Sequence, residues 1–306
     1  MPGVRPTIPA WAVIAVIVIA IAVLGFGSRF FSHTPPPLGT EVDPAESGRR
    51  REPPGRRAEP DGWERHVLAG VPSDASETTP EDYLIKRAQY VASYNQRRGI
   101  PNWVAWHLEA SDFGPAPRSE FEPDSSLPSG FYRVTPKDYR GSGYGRGHLC
   151  PSGDRTFSRD DNAATFLMTN VVPQADDNNQ GPWNDLEMAC RDWARSGSEL
   201  YIVAGGSGPF TQLRTSSKVF APEAVWKVAL VIESGSDDLA RIDGTTRVIA
   251  VSMPNRDGVR EVDWRQYQTT VDAIEQSTGL DFFAELPDEV EAELESRVES
   301  GLDRRR

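Results

Sequence analysis

The sequence predicts an α+β domain built on a central antiparallel or mixed sheet flanked by helices, and two sets of observations lead there. Leu200-Tyr-Ile-Val-Ala204, Trp226-Lys-Val-Ala-Leu-Val-Ile232 and Arg247-Val-Ile-Ala-Val-Ser-Met253 are short apolar runs with β-branched residues, suited to strands of a buried sheet. Other segments place apolar residues at helical spacing beside proline or glycine boundaries. Composition only bounds the answer, because 38% hydrophobic and 25% charged residues are ordinary for a globular chain of 306 residues.

Taken in order, the chain opens with an uncharged apolar run from Ile8 to Gly27. A bilayer needs about 20 such residues, so residues 1–32 are expected to be a membrane segment. Arg5 precedes the run as in an export signal, but the run exceeds a signal core, which favours a retained anchor over a cleaved leader. Either way, the rest is expected to lie outside the cytoplasmic membrane, anchored or secreted. Residues 33–65, with Pro35-Pro-Pro37 and arginine runs but almost no large apolar side chains, read as a disordered linker. The folded domain is expected over residues 66–298, and residues 299–306 as a tail.

Within the domain, Leu84, Ala88 and Val91 fall on one stripe of a helix expected over 80–94, with Thr79-Pro80 as its start. Asn102-Trp-Val-Ala-Trp-His-Leu108 reads as a strand, with Trp103, Ala105 and His107 on one face and Val104, Trp106 and Leu108 on the other. His107 is therefore expected to be structural. Residues 114–130, rich in Pro, Gly and Ser, form a loop containing Arg118. A helix is expected from Gly181-Pro182 to Trp193, with Trp183, Leu186, Cys190 and Trp193 as its buried stripe and Glu187 at the border. Gly205-Gly-Ser-Gly-Pro lacks the spacing of a phosphate loop and reads as a turn. Residues 271–279 and 287–298 complete the helices.

The net charge of −12 argues mildly against a nucleic-acid partner. Residues 1–62 carry seven basic and six acidic side chains, leaving −13 on the remainder, so a polyanion would have to meet a local cluster of arginines. Two cysteines, Cys150 and Cys190, are too few for a disulfide framework and either form one bridge or stay as buried apolar groups.

The residues that carry chemistry gather in Tyr144-Gly-Arg-Gly-His-Leu-Cys-Pro-Ser-Gly-Asp-Arg155 and in Asn170 to Glu187. On an extended stretch Arg146 and His148 project to one face, setting a phosphate bound by the arginine beside an imidazole able to take a proton near neutral pH. Alone, this stretch reads more readily as a surface histidine near a turn. Asn179, Trp183, Glu187 and Arg191 recur every four residues, aligning Glu187 with Arg191 and bringing Asn179 to the same side; the bland reading is a solvent-facing ion pair. A zinc site of His148, Cys150, Cys190 and His107 lacks paired Cys-x-x-Cys spacing. Amide and water oxygens suit Mg²⁺, or alternatively Mn²⁺.

Arg-Gly-His, Thr169-Asn-Val-Val-Pro-Gln174 and Asn179-Gln-Gly-Pro-Trp-Asn-Asp-Leu-Glu187, in that order, resemble the DNA/RNA non-specific endonucleases of the ββα-metal superfamily, from about His66 to Val298. The resemblance implies an active site on a ββα unit and Mg²⁺-dependent, sequence-independent cleavage of DNA and RNA to 5′-phosphates. It further implies His148 as general base, Asn179 as the direct metal ligand, Glu187 as holder of metal-bound water and Asn170 as support for the His148 loop. Arg146, Arg118 and Arg191 would meet the scissile phosphate. The family motif usually reads Asp-Arg-Gly-His, whereas Gly145 precedes Arg146 here, with Asp154 and Asp138 as candidate substitutes for the missing carboxylate. That departure leaves room for a binding module that kept the fold and lost the chemistry. A phosphodiesterase acting on small nucleotides is a third reading. A protein inhibitor is a further partner class that no motif identifies.

Overall fold

The computed structural model describes residues 62–299. The expected membrane segment, nearly all of the linker and most of the tail lie outside those residues, and no helix among the described residues is long and apolar enough to cross a membrane.

Among the described residues, eight strands run in chain order: β1 (Tyr83–Lys86), β2 (Val91–Asn95), β3 (Ile100–Leu108), β4 (Gly145–His148), β5 (Val171–Gln174), β6 (Ser198–Gln212), β7 (Phe220–Glu233) and β8 (Arg247–Pro254). Six form an antiparallel sheet in the order β1-β2-β3-β6-β7-β8, and β4 pairs with β5 in a separate two-stranded ribbon. Among the described residues, six α-helices, α1 (Arg159–Thr165), α2 (Asp176–Asn179), α3 (Pro182–Arg195), α4 (Asp238–Arg241), α5 (Val271–Thr278) and α6 (Asp288–Glu295), complete an α+β fold.

Both faces of the large sheet are buried, which explains why its strands read as near-continuous apolar runs. Along β3 the alternation predicted from sequence holds. Val104, Trp106 and Leu108 join one apolar cluster with Trp183, Leu186 and Cys190 of α3 and Val171 and Val172 of β5. Trp103 and Ala105 join a second with Val271 and Ile274 of α5, Leu294 of α6 and Phe282. The ribbon and α3 therefore cover one face and α5 and α6 the other.

The ribbon is fastened to the large sheet by a buried amide. Asn255 accepts a hydrogen bond from Ala175 N (2.7 Å) and donates to the carbonyls of Pro173 and Pro222 (2.9 Å each). Asn178 adds a fourth tie, donating to Pro254 O at 3.0 Å.

Two expectations need correction. Residues 80–94 form the β1–β2 hairpin, not a helix: Tyr83 pairs with Tyr94 and Lys86 with Val91. Every residue of β2 is buried. A three-residue helical stripe would have left the aromatic and polar groups between unburied, so tertiary burial overrides local periodicity. Gly205 to Gly208 lie inside β6, which carries an irregularity between Ser207 and Phe210, so they are not a turn. A Cβ on Gly205 would come within 2.3 Å of Asn102 O and 2.5 Å of the Trp226 ring, so close approach of β3 and β7 requires glycine there. Both cysteines are free and buried, which removes the bridge.

Candidate active site

The ribbon sets the first group of side chains. In β4, His148 lies opposite Val171 and Arg146 opposite Pro173. The His148 imidazole stacks on Phe121 (centroids 4.8 Å apart, 25° between planes) and meets Phe166 edge-on at 4.7 Å. The Arg146 guanidinium lies 4.6 Å over Phe121, and that of Arg118 lies 4.8 Å over Phe166. Two aromatic rings thus hold one imidazole and two cations in a single array, each cation–ring contact worth roughly 0.5–1 kcal/mol at a partly exposed site.

Burial, followed by the charges of Arg118 and Arg146, lowers the His148 pKa to about 3. At neutral pH the ring is therefore uncharged and able to accept a proton. Its Nε2 is buried without a hydrogen-bond partner, leaving a polar atom free for a ligand.

The loop after His148 is clamped by Asn170. That amide accepts from Cys150 N (2.9 Å) and donates to Cys150 O and Thr165 O (2.8 Å each), while Asn170 O accepts from Leu149 N (3.0 Å). The next turn, Ser152–Asp154, meets Arg118 again and one further arginine, Arg191. Arg118 donates to Ser152 Oγ at 3.3 Å. Arg191 donates to Asp154 at 3.0 Å and lies 3.7 Å from Glu187, one turn back on α3. Glu187 is mostly buried, and burial raises its pKa against the opposing charges of Lys227 and Arg191.

Asn179 ends α2 and lies over the start of β4: a Cβ built on Gly145 would sit 3.7 Å from its Nδ2. His148, Arg146, Arg118, Asn170, Glu187, Arg191 and Asn179 thus all come from the ribbon and the elements packed on it. The two carboxylates offered as substitutes for a residue at 145 are committed elsewhere. Asp154 holds Arg191 and Trp106 Nε1 (3.0 Å), and Asp138 caps its own turn and binds Tyr132 and Ser216 (2.8 Å each).

The zinc set does not assemble. His107 faces the other side of β3, bonded to Glu199 at 3.2 Å and packed on Tyr201 at 4.9 Å, which makes it structural. Burial raises the Cys190 thiol to about 12 and drives Cys150 higher still. Among the described residues, the groups of three side chains with metal-ligating atoms close together are His107, Glu199 and Asp238, and Asp272, Glu275 and Glu295. Both lie away from the ribbon.

Sequence reading missed Phe121, Phe166 and Lys227. Lys227 is almost fully buried on the α3 side of β7, its Nζ 4.3 Å over Trp183 and 5.5 Å over Trp106. A lysine inside Val225-Trp-Lys-Val-Ala229 was the available signal, since a charge is rarely buried without a purpose. Phe121, in a loop, carried no periodicity to mark it.

Residues 71–289 match the sequence profile of DNA/RNA non-specific endonucleases. A nuclease of Nostoc sp. is 47% identical over 238 residues, 77% of this chain and 86% of the relative. The human mitochondrial nuclease EXOG is 33% identical over 214 residues, 64% of this chain and 56% of its own length, so this chain spans little more than half of that relative. Among solved structures, a chain of the EndoG/EndoGI complex, which concerns EndoG inhibition, superposes with a TM-score of 0.64 at 25% identity, covering 76% of this chain and 96% of that one.

Proposed function

Because the chain belongs to the DNA/RNA non-specific endonuclease family, and is an endonuclease that hydrolyses phosphodiester bonds, we propose that it cuts both DNA and RNA without sequence preference, depends on Mg²⁺ or Mn²⁺, and leaves 5′-phosphates. One observation carries this reading: an uncharged imidazole held between two aromatic rings, each with a guanidinium over it.

In the proposed reaction His148 takes the proton of the attacking water, which its lowered pKa permits at neutral pH. Arg146, Arg118 and Arg191 face the charge that builds on the phosphate oxygens. Asn170 keeps the His148 loop in place through its three side-chain bonds. Asn179 offers an amide oxygen and Glu187 a carboxylate, and both thiols are buried and protonated, so the donors fit a hard divalent cation held through oxygens. Such a cation, when bound, stabilises the departing 3′-oxygen. Arginine contacts directed at phosphates explain indifference to base and sugar.

Gly145 favours one rival, a module that binds nucleic acid without cutting it. Plasmid DNA and a structured RNA incubated with Mg²⁺, with and without EDTA, separate the readings. Nicking of both substrates that EDTA abolishes, with ends that a ligase accepts, is expected. Retarded but intact nucleic acid would favour the rival, and turnover of a dinucleotide alone would favour a small-nucleotide phosphodiesterase.

A further inference from the structure

Gly145 begins β4 opposite Gln174, immediately before Arg146. The space its missing side chain would fill is not empty. A Cβ built there would stand 2.8 Å from Asp176 Oδ1 and 3.7 Å from Asn179 Nδ2. A carboxylate from α2 and the amide of the proposed metal ligand thus converge over the position that precedes Arg146. Asp176 is exposed, whereas the other two candidate carboxylates are bound to structural partners.

We propose that Asp176 is a positioning residue of this site, its carboxylate occupying the space above Gly145 and supplying the negative charge beside Asn179 that orients a divalent cation's water shell. The proposal rests on the metal-dependent reading above. Glycine at 145 leaves that space to the carboxylate from α2, whose Oδ1 a Cβ would displace. The two positions are coupled: a side chain at 145 displaces the carboxylate of 176 from this space. Groups that hold metal-bound water without touching the metal typically change its affinity by about 10–100-fold when removed.

The test is Mn²⁺ binding to the full chain, read by the electron paramagnetic resonance signal of free Mn²⁺, with no nucleic acid present. Asp176→Asn, which keeps shape and removes charge, is expected to weaken Mn²⁺ binding about tenfold with an unchanged melting temperature. Gly145→Ala leaves every charge in place and pushes the carboxylate aside, so it is expected to weaken binding by a similar factor. Gly145→Asp combined with Asp176→Ala returns a carboxylate from β4 and is expected to recover most of the affinity. Wild-type affinity in Asp176→Asn, or a double variant no better than Asp176→Ala, overturns the role of Asp176 and leaves the metal-dependent reading standing. A wild-type chain that binds no Mn²⁺ overturns both.

Discussion

The two faces of the large sheet solve opposite electrostatic problems. On the face covered by the ribbon and α3, Arg146 and Arg118 flank a neutral imidazole, Arg191 pairs with Asp154, and Lys227 lies buried beneath Trp183. On the face covered by α5 and α6, Asp272, Glu275 and Glu295 bring their carboxylates within 4.8 Å of one another. Burial, then Glu275, Glu291 and Asp272, push Glu295 up to about 8. A chain of net charge −12 is compatible with a polyanionic substrate because arginines gather locally beside the ribbon. Net charge describes the average surface, while binding depends on the local field.

The largest blow to this contrast is removal of the imidazole. His148→Ala is expected to lower kcat by about 10²–10⁴-fold in plasmid nicking, with circular dichroism unchanged; near-normal nicking would deny the front face its base. Next comes Arg191→Ala, which leaves buried Asp154 without its cation. A stability loss of about 3 kcal/mol in urea unfolding is expected, together with loss of activity. Should activity fall without any loss of stability, Arg191 serves only the substrate.

A smaller effect sharpens the front face. Phe121→Leu opens the His148 pocket to water, so the imidazole pKa should rise from about 3 towards 6.5. Nicking should then fall severalfold near pH 5 and hardly at all near pH 8, and an NMR titration of the imidazole would reveal an unmoved pKa if the ring only fills space. The smallest effect belongs to the back face. Glu295 holds its proton in the folded state up to about pH 8 but releases it near 4.5 when unfolded. The folded form binds more protons between those limits, so stability should decline as pH rises from about 4.5 to about 8 and level off beyond. In Glu295→Gln that decline should shrink in melting curves, and an identical slope would assign it to other groups.

Much of this was legible in the sequence, for reasons that differ by residue. The faces of β3 followed from strict alternation of Trp103 to Leu108, and α3 from the spacing of Trp183, Leu186 and Cys190 with Pro182 at its start. Arg146 and His148 were legible because two residues along a strand return to one face. The hairpin of 83–95 was not, because its burial is imposed by β3 and by groups distant in sequence: His66 bonds Ala88 O and Arg155 bonds Gln89 O. Phe121, Phe166 and Asp176 share that character. Phe121 and Phe166 come beside His148 only once the chain has folded, and nothing in the spacing of Asp176 indicates that it lies over Gly145.

The buried amide of Asn255 carries one last implication. By pinning Ala175, Pro173 and Pro222 at once, it makes the β4–β5 ribbon a fixture of the whole domain and not a portable module. Excised or grafted onto another scaffold, the ribbon would lose these anchors and with them the placement of its reactive side chains. Tailoring this enzyme therefore calls for changes in situ.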